Sequence, residues 1–110
     1  MATETYKVLA QVNPSAATLT DAYTVPAVTS AVLSTIVIAN RSATATAFRV
    51  SVAVAGVADN NKQYIAYDVP IAGNETQTFT CGFTLATTDV LRVYATLATL
   101  SFNVFGLQRA

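Results

Sequence analysis

The stretch Ala43-Thr44-Ala45-Thr46-Ala47-Phe48-Arg49-Val50-Ser51-Val52-Ala53-Val54 alternates between two kinds of side chain at a period of two. A helix would repeat at 3.6, so this spacing marks a strand with one face on a core and the other turned away from it. Read as a strand from Thr44 to Ala55, it points Phe48, Val50, Val52 and Val54 inward and Arg49, Ser51 and Ala53 outward. Alanine by itself favours helix, but here it is interleaved with Thr and Val. The rest of the chain shares this bias: 14 Val, 4 Ile and 17 Thr make 35 of 110 residues β-branched. Such side chains are stiff at χ1 and fit a pleated surface better than a helix. The fold class is all-β.

Working outward from this strand, alternation and turn chemistry mark seven more. Upstream, Thr5 to Val12 sets Tyr6, Val8, Ala10 and Val12 on one face and Lys7, Leu9 and Gln11 on the other, and Asn13-Pro14-Ser15 stops it. Leu19 to Val25 ends at Pro26, which has no N–H for a central ladder. Ala31 to Ala39 is apolar on both faces apart from Ser34 and Thr35, the pattern of a central strand. Downstream, Asp59-Asn60-Asn61 opens Lys62 to Val69, and Ala72-Gly73-Asn74 turns into Glu75 to Phe83. There Phe79, Cys81 and Phe83 share a face, with a bulge expected at Gly82. Asp89 to Ala95 and Leu100 to Leu107 follow, with the segment between them read as a hairpin connection.

Strands at this spacing predict one two-sheet β-sandwich or jelly roll of about eight antiparallel strands over residues 1–110. The expected core is Val8, Ile36, Ile38, Phe48, Val50, Val52, Phe79, Phe83, Val93, Phe102 and Val104. Tyr23-Thr-Val-Pro-Ala27 echoes Tyr67-Asp-Val-Pro-Ile71. The plain reading is that both pieces leave one sheet for the other, with Pro closing an edge.

Six basic and six acidic residues cancel, so the chain lacks the positive footprint of a nucleic-acid or anionic-lipid binder. Met1-Ala-Thr-Glu-Thr-Tyr6 has neither the basic start nor the apolar run of a signal peptide. The uncharged stretch from Ala22 to Asn40 is broken by Pro26 and five hydroxyl residues, so no membrane span is expected. One Cys forms no disulfide framework, and production in a cytoplasm is the simplest expectation.

With no His, Cys81 has no imidazole to activate it, and its phase with Phe79 and Phe83 makes it a structural thiol. The acids Glu4, Asp21, Asp59, Glu75 and Asp89 fall at turns or strand ends, leaving Asp68 as the one inside a strand. No carboxylate pair, Gly-rich phosphate loop or Cys/His metal spacing follows. Asp59-Asn60-Asn61 reads as an Asx turn before a calcium loop. The expectation is a non-enzymatic chain without cofactor or metal.

The outer faces read mainly as Thr, Ser and Ala, and only 11% of residues are charged, against about 25% in ordinary domains. A surface so poor in charge suits one covered by copies of the chain or by other proteins. Tyr and Arg are enriched where proteins meet. Arg92 and Tyr94, on one face of the seventh strand, and Tyr64, pointing outward from the fifth, are the candidate contact residues. A sugar-binding site would want an aromatic platform beside carboxylates and amides. The chain has no Trp, and its Tyr residues read as separate from the acids.

Tyr6-Lys-Val-Leu9, Leu19-Thr-Asp-Ala-Tyr-Thr-Val-Pro26 and Ser34-Thr-Ile-Val-Ile-Ala-Asn-Arg-Ser42 resemble small virion structural proteins of tailed bacteriophages. Lys62-Gln-Tyr-Ile-Ala-Tyr-Asp68, Phe83-Thr-Leu-Ala-Thr-Thr-Asp-Val-Leu-Arg-Val-Tyr94 and Leu100-Ser-Phe-Asn-Val-Phe-Gly106 extend the likeness over nearly the whole chain. The resemblance implies a non-catalytic β-sandwich that decorates or joins parts of the particle. Its expected station is the head, as a decoration or cement protein on the major capsid protein. The alternative is a neck, tail or fibre component, including a receptor- or carbohydrate-binding module. Partners are then copies of the chain, for instance a trimer, and other virion proteins.

Far-ultraviolet circular dichroism is expected to show a β-type spectrum without a helical double minimum. The melting temperature should not move when a strong chelator is added; a large drop would make the Asp59-Asn60-Asn61 loop a metal site.

Overall fold

Antiparallel pairing needs only a short link where the chain reverses, and this chain reverses once at its middle and then rolls up. A computed structural model describes residues 3–110, so Met1 and Ala2, the first two residues of the segment read for targeting, lie outside the described residues. The strands are β1 (Glu4–Val12), β2 (Thr20–Thr24), β3 (Ser30–Asn40), β4 (Thr46–Ala53), β5 (Tyr64–Ile71), β6 (Thr76–Leu85), β7 (Val90–Ala95) and β8 (Leu100–Arg109). β1 pairs with β8, β2 with β7, β3 with β6 and β4 with β5, as in a ribbon folded at the β4–β5 link. Rolling the ribbon adds β8 beside β3 and β7 beside β4. The first sheet runs β1-β8-β3-β6 and the second β2-β7-β4-β5. All pairs are antiparallel, and the arrangement is the jelly-roll form of the sandwich.

The repeated Tyr-x-Val-Pro pieces end β2 and β5, the two edge strands of the second sheet, and in each case the chain crosses next into the first sheet. Pro70 is tolerated within β5 because an edge strand has one side free of ladder bonds. The segment after Ala95 is not a hairpin connection. β7 and β8 lie in different sheets, so it arches over the end of the sandwich. Thr96 N–H donates to the Ala47 carbonyl there, and Arg41 N–H donates to that of Thr99.

The core fills the space between the sheets. Ile36, Ile38, Phe48, Val50, Val93, Phe102 and Val104 are fully buried, and Val52, Phe79 and Phe83 pack against them from its margin. Phe48 meets Phe79 and Phe102 edge-to-face, with centroids 5.7 and 6.2 Å apart.

Val8 is a correction. The register between β1 and β8 shifts between Val8 and Ala10, so Leu9 is an inserted residue. One inserted residue moves everything beyond it to the other face. Ala10 and Val12 therefore join the core margin, whereas Val8 is 47% and Tyr6 84% exposed, opposite Phe105 and Leu107 on the outer face. Val54 is a second correction. β4 ends at Ala53, and Ala55 takes a left-handed conformation with φ 56°, turning Val54 out to 68% exposure.

β3 is central and carries the same kind of irregularity at Ser34, one residue too many against β8. Leu33 and Ile36 both face inward as a result, with the polar Ser34-Thr35 pair taking up the change of phase. At this step β8 approaches β3 so closely that a Cβ on Gly106 would lie 2.1 Å from the Val32 carbonyl oxygen. On the other side, β6 has its own extra residue at Cys81-Gly82, where the bulge is expected. The half-buried Cys81 thiol donates to the Leu33 carbonyl at 3.1 Å, and burial pushes its pKa up, as befits an unreactive group.

Phe48→Ala and Phe102→Ala should each lower the unfolding free energy by about 3–5 kcal/mol in denaturant titrations. Val8→Ala should change it by less than about 1 kcal/mol, because the side chain stands outside the core.

Candidate functional site

The outer face of the second sheet gathers the tyrosines and arginines. Arg49 points outward from the middle of β4, directly opposite Tyr94 of β7. On its other side, β5 has one residue too many between Ala66 and Val69. Asp68 absorbs it with φ 51°, a left-handed conformation that Asp tolerates better than most residues. The bulge brings the Asp68 carboxylate back over β4, where it accepts from Arg49 Nε at 2.7 Å and, less closely, from Nη2 at 3.4 Å. The Arg49 guanidinium carbon lies 4.1 Å from the Tyr67 ring centroid and 4.3 Å from that of Tyr94. Arg49 is thus in cation–π contact with two rings and tied to one carboxylate. The hydrogen bond to Asp68 raises its already high pKa further.

Tyr64 extends the cluster, edge-to-face with Tyr67 at 5.0 Å between centroids. Its hydroxyl donates to Asp59 Oδ2 at 3.1 Å. Burial first, then Asp59, push its pKa up. Asp59 is positioned by the turn that follows it: Asn60 accepts from Lys62 N–H and caps the 3-10 turn Asn61–Gln63, whose Gln63 side chain in return accepts from Asn60 N–H. Asn61, Tyr64 and Tyr67 line a shallow open cavity of about 380 Å³.

Arg92 lies one step along β7 from Tyr94, on the same face, and is committed within the chain. It donates to Asp21 at 2.9 Å and to the carbonyls of Val57 and Gly56 at 2.9 and 3.2 Å. These bonds draw the β4–β5 connection back over the sheet, and beneath it the outward residues Ser51, Ala53 and Val90 are buried. Asp89 secures the same connection by accepting from Ala55 N–H at 2.9 Å, and its other oxygen accepts from Ala86 N–H in the β6–β7 turn, also at 2.9 Å.

The structure therefore brings Tyr64 and Tyr94 to opposite sides of one cluster and places Arg92 beside it as a clasp. Its centre, formed by Arg49, Tyr67 and Asp68, is not among the sequence candidates. Tyr67-Asp68 ahead of Pro70 is the visible signal, an acid inside a strand, although Asp21 also lies within its strand, β2. The separation of tyrosines from acids does not hold, since Asp59 and Asp68 both sit against the aromatic group. Among the described residues no three His, Cys, Asp or Glu side chains converge as metal ligands, and no helix is long and apolar enough to cross a membrane. No family model matches the chain, and no curated protein matches it.

Because the Tyr64 pKa is raised, its stabilising effect is complete below the ordinary tyrosine range and is lost as pH rises through the raised value. Spectrophotometric titration should show the Tyr64 phenol ionising above the usual range. Asp59→Asn should bring it down by removing the negative charge beside the hydroxyl.

Proposed function

We propose that the chain is a non-enzymatic structural protein of a tailed-bacteriophage particle, made in the host cytoplasm and built into the virion. Its station in this reading is the head, where it decorates or cements the major capsid protein and contacts copies of itself. The observation that carries the contact reading is Arg49, clamped by Tyr67, Tyr94 and Asp68 on the outer face of the second sheet. An arginine and aromatics already held in place lose little side-chain entropy on docking, and these residue types supply most binding energy at interfaces. The resemblance of the strand sequences supports the phage particle as the setting.

The carboxylates support the non-enzymatic part. Five of the six acids have structural hydrogen-bond partners: Asp21 with Arg92, Asp59 with Tyr64, Asp68 with Arg49, Glu75 with Ala72 N–H and Gln77, and Asp89 with two loop amides. A general acid or base needs a proton-transfer partner in a pocket, and these groups are committed elsewhere. The cavity beside Asn61, Tyr64 and Tyr67 favours a second reading, a carbohydrate-binding module on a neck, tail or fibre. Against it, the Arg49 guanidinium covers a face of Tyr67 that a sugar ring would need.

Electron cryomicroscopy of the intact particle is the deciding measurement. Density at capsomer junctions is expected, with the Arg49 face buried against a neighbour and occupancy strongly reduced in Arg49→Ala. Density only at the neck or tail would move the protein there, and its absence from the particle would refute the proposal. Glycan binding abolished by Tyr67→Ala would establish the second reading.

A further inference from the structure

A sheet edge offers unpaired N–H and C=O groups to any second strand, and proteins that must stay apart block their edges with charge, proline, bulges or shortness. Four strands here are edges: β1 and β6 in the first sheet, β2 and β5 in the second. β1 carries Glu4 and Lys7 as well as the Leu9 insertion. β2 is five residues long and includes Asp21. β5 has Asp68 at positive φ and Pro70. β6 differs from all three, with ten residues, Thr76-Gln-Thr-Phe-Thr-Cys-Gly-Phe-Thr-Leu85, and neither a charge nor a proline.

Its one irregularity is the bulge at Cys81-Gly82. The preceding run, Thr76 to Thr80, is regular against β3, from Ala39 to Thr35. Along it Thr76, Thr78 and Thr80 are exposed, while Gln77 and Phe79 turn inward. Gln77 bonds the Pro70 carbonyl at 2.8 Å, which holds this half of β6 in place. Among the described residues β6 pairs with β3 alone.

We infer that β6 is the self-association edge of the protein and that its occupant is β6 of a second copy, antiparallel across a two-fold axis at Thr78. An isologous contact requires a surface complementary to itself. This run meets that requirement: about Thr78, Thr76 falls opposite Thr80 of the other copy and Thr78 opposite its equivalent. Every outward cross-strand pair is then Thr–Thr, a favourable pairing, and no like charges meet. The two first sheets become one eight-stranded sheet. A strand of another protein could use the same edge, but nothing in its sequence would be selected by a neutral, hydroxyl-lined run as its own symmetric copy is. The inference deepens the homo-oligomeric part of the proposed function and does not depend on the particle.

Sedimentation equilibrium across micromolar to millimolar concentration tests it, with Thr78→Lys, Thr78→Glu and their equimolar mixture beside the unaltered chain. The unaltered chain is expected to dimerise. Each charged variant should remain monomeric at an unchanged melting temperature, and the mixture should dimerise again because opposite charges meet at the axis. A chain that stays monomeric throughout, or an oligomer that survives in both charged variants, overturns the inference. If either variant melts early, amide exchange of the unaltered chain decides: Thr76 to Thr80 must gain protection with concentration, and no gain refutes the pairing. Failure here leaves the virion proposal standing, and absence from the particle leaves this edge contact standing.

Discussion

Phe48 is where the two sheets become one body. It projects from β4 in the second sheet, and its ring is met edge-on by Phe79 from β6 and Phe102 from β8, both in the first. Each sheet alone would expose an apolar face to water; together they bury Leu33, Ile36 and Ile38 against Val50, Leu91 and Val93. Edge-to-face rings add specificity to area because they favour one relative orientation of their strands. The outer site inherits this constraint. Arg49 follows Phe48 on the same strand, so the ring that fixes β4 inward also fixes the guanidinium outward between Tyr67 and Tyr94.

Much of this was legible in the sequence because period-two alternation is a direct consequence of strand geometry. The eight strands follow from it together with the turn residues; the central position of β3 follows from a run apolar on both faces, and the edge positions of the Tyr-x-Val-Pro pieces from their prolines. What alternation does not report is its own interruption. The pattern from Tyr6 to Val12 continues unbroken through Leu9, since Val8 is apolar whichever side it faces, and only the pairing with β8 shows that the strand changes face. Where the inserted residue is polar the signal is present: Ser34-Thr35 stands out in an apolar run, and Gly82 blurs its strand. Val54 reads as inward for a related reason, because nothing in Val-Ala-Val-Ala tells where a strand stops.

The site was half legible. Tyr64 and Tyr94 could be placed on outward positions strand by strand, yet which outward residues touch depends on strand order, and the meeting of β5, β4 and β7 is a property of the rolled ribbon. For that reason the sequence shows Arg49 as outward but not its partners. Asp68 gave the clearest hint, an acid inside a strand, and its meaning is the bulge that returns its carboxylate to Arg49. Arg92 shows the converse: an arginine on the right face, two residues from Tyr94, whose donors hold the β4–β5 connection in place.

The position of β8 has a consequence for biosynthesis. This strand is the last of the eight in the chain, yet it lies inside the first sheet, between β1 and β3, as β7 lies inside the second between β2 and β4. A ribosome releasing the chain from its amino end therefore delivers β1 and β3 well before the strand that joins them. Until residues 100–109 have emerged, the first sheet has a gap at its centre, with ladder groups on both sides facing water or one another. Chains whose pairings span most of their length fold slowly and expose unpaired edges meanwhile. The sandwich therefore closes only once its eighth strand has been delivered, and a ribosome stalled before Leu100 would hold an incomplete sandwich prone to pair with its neighbours.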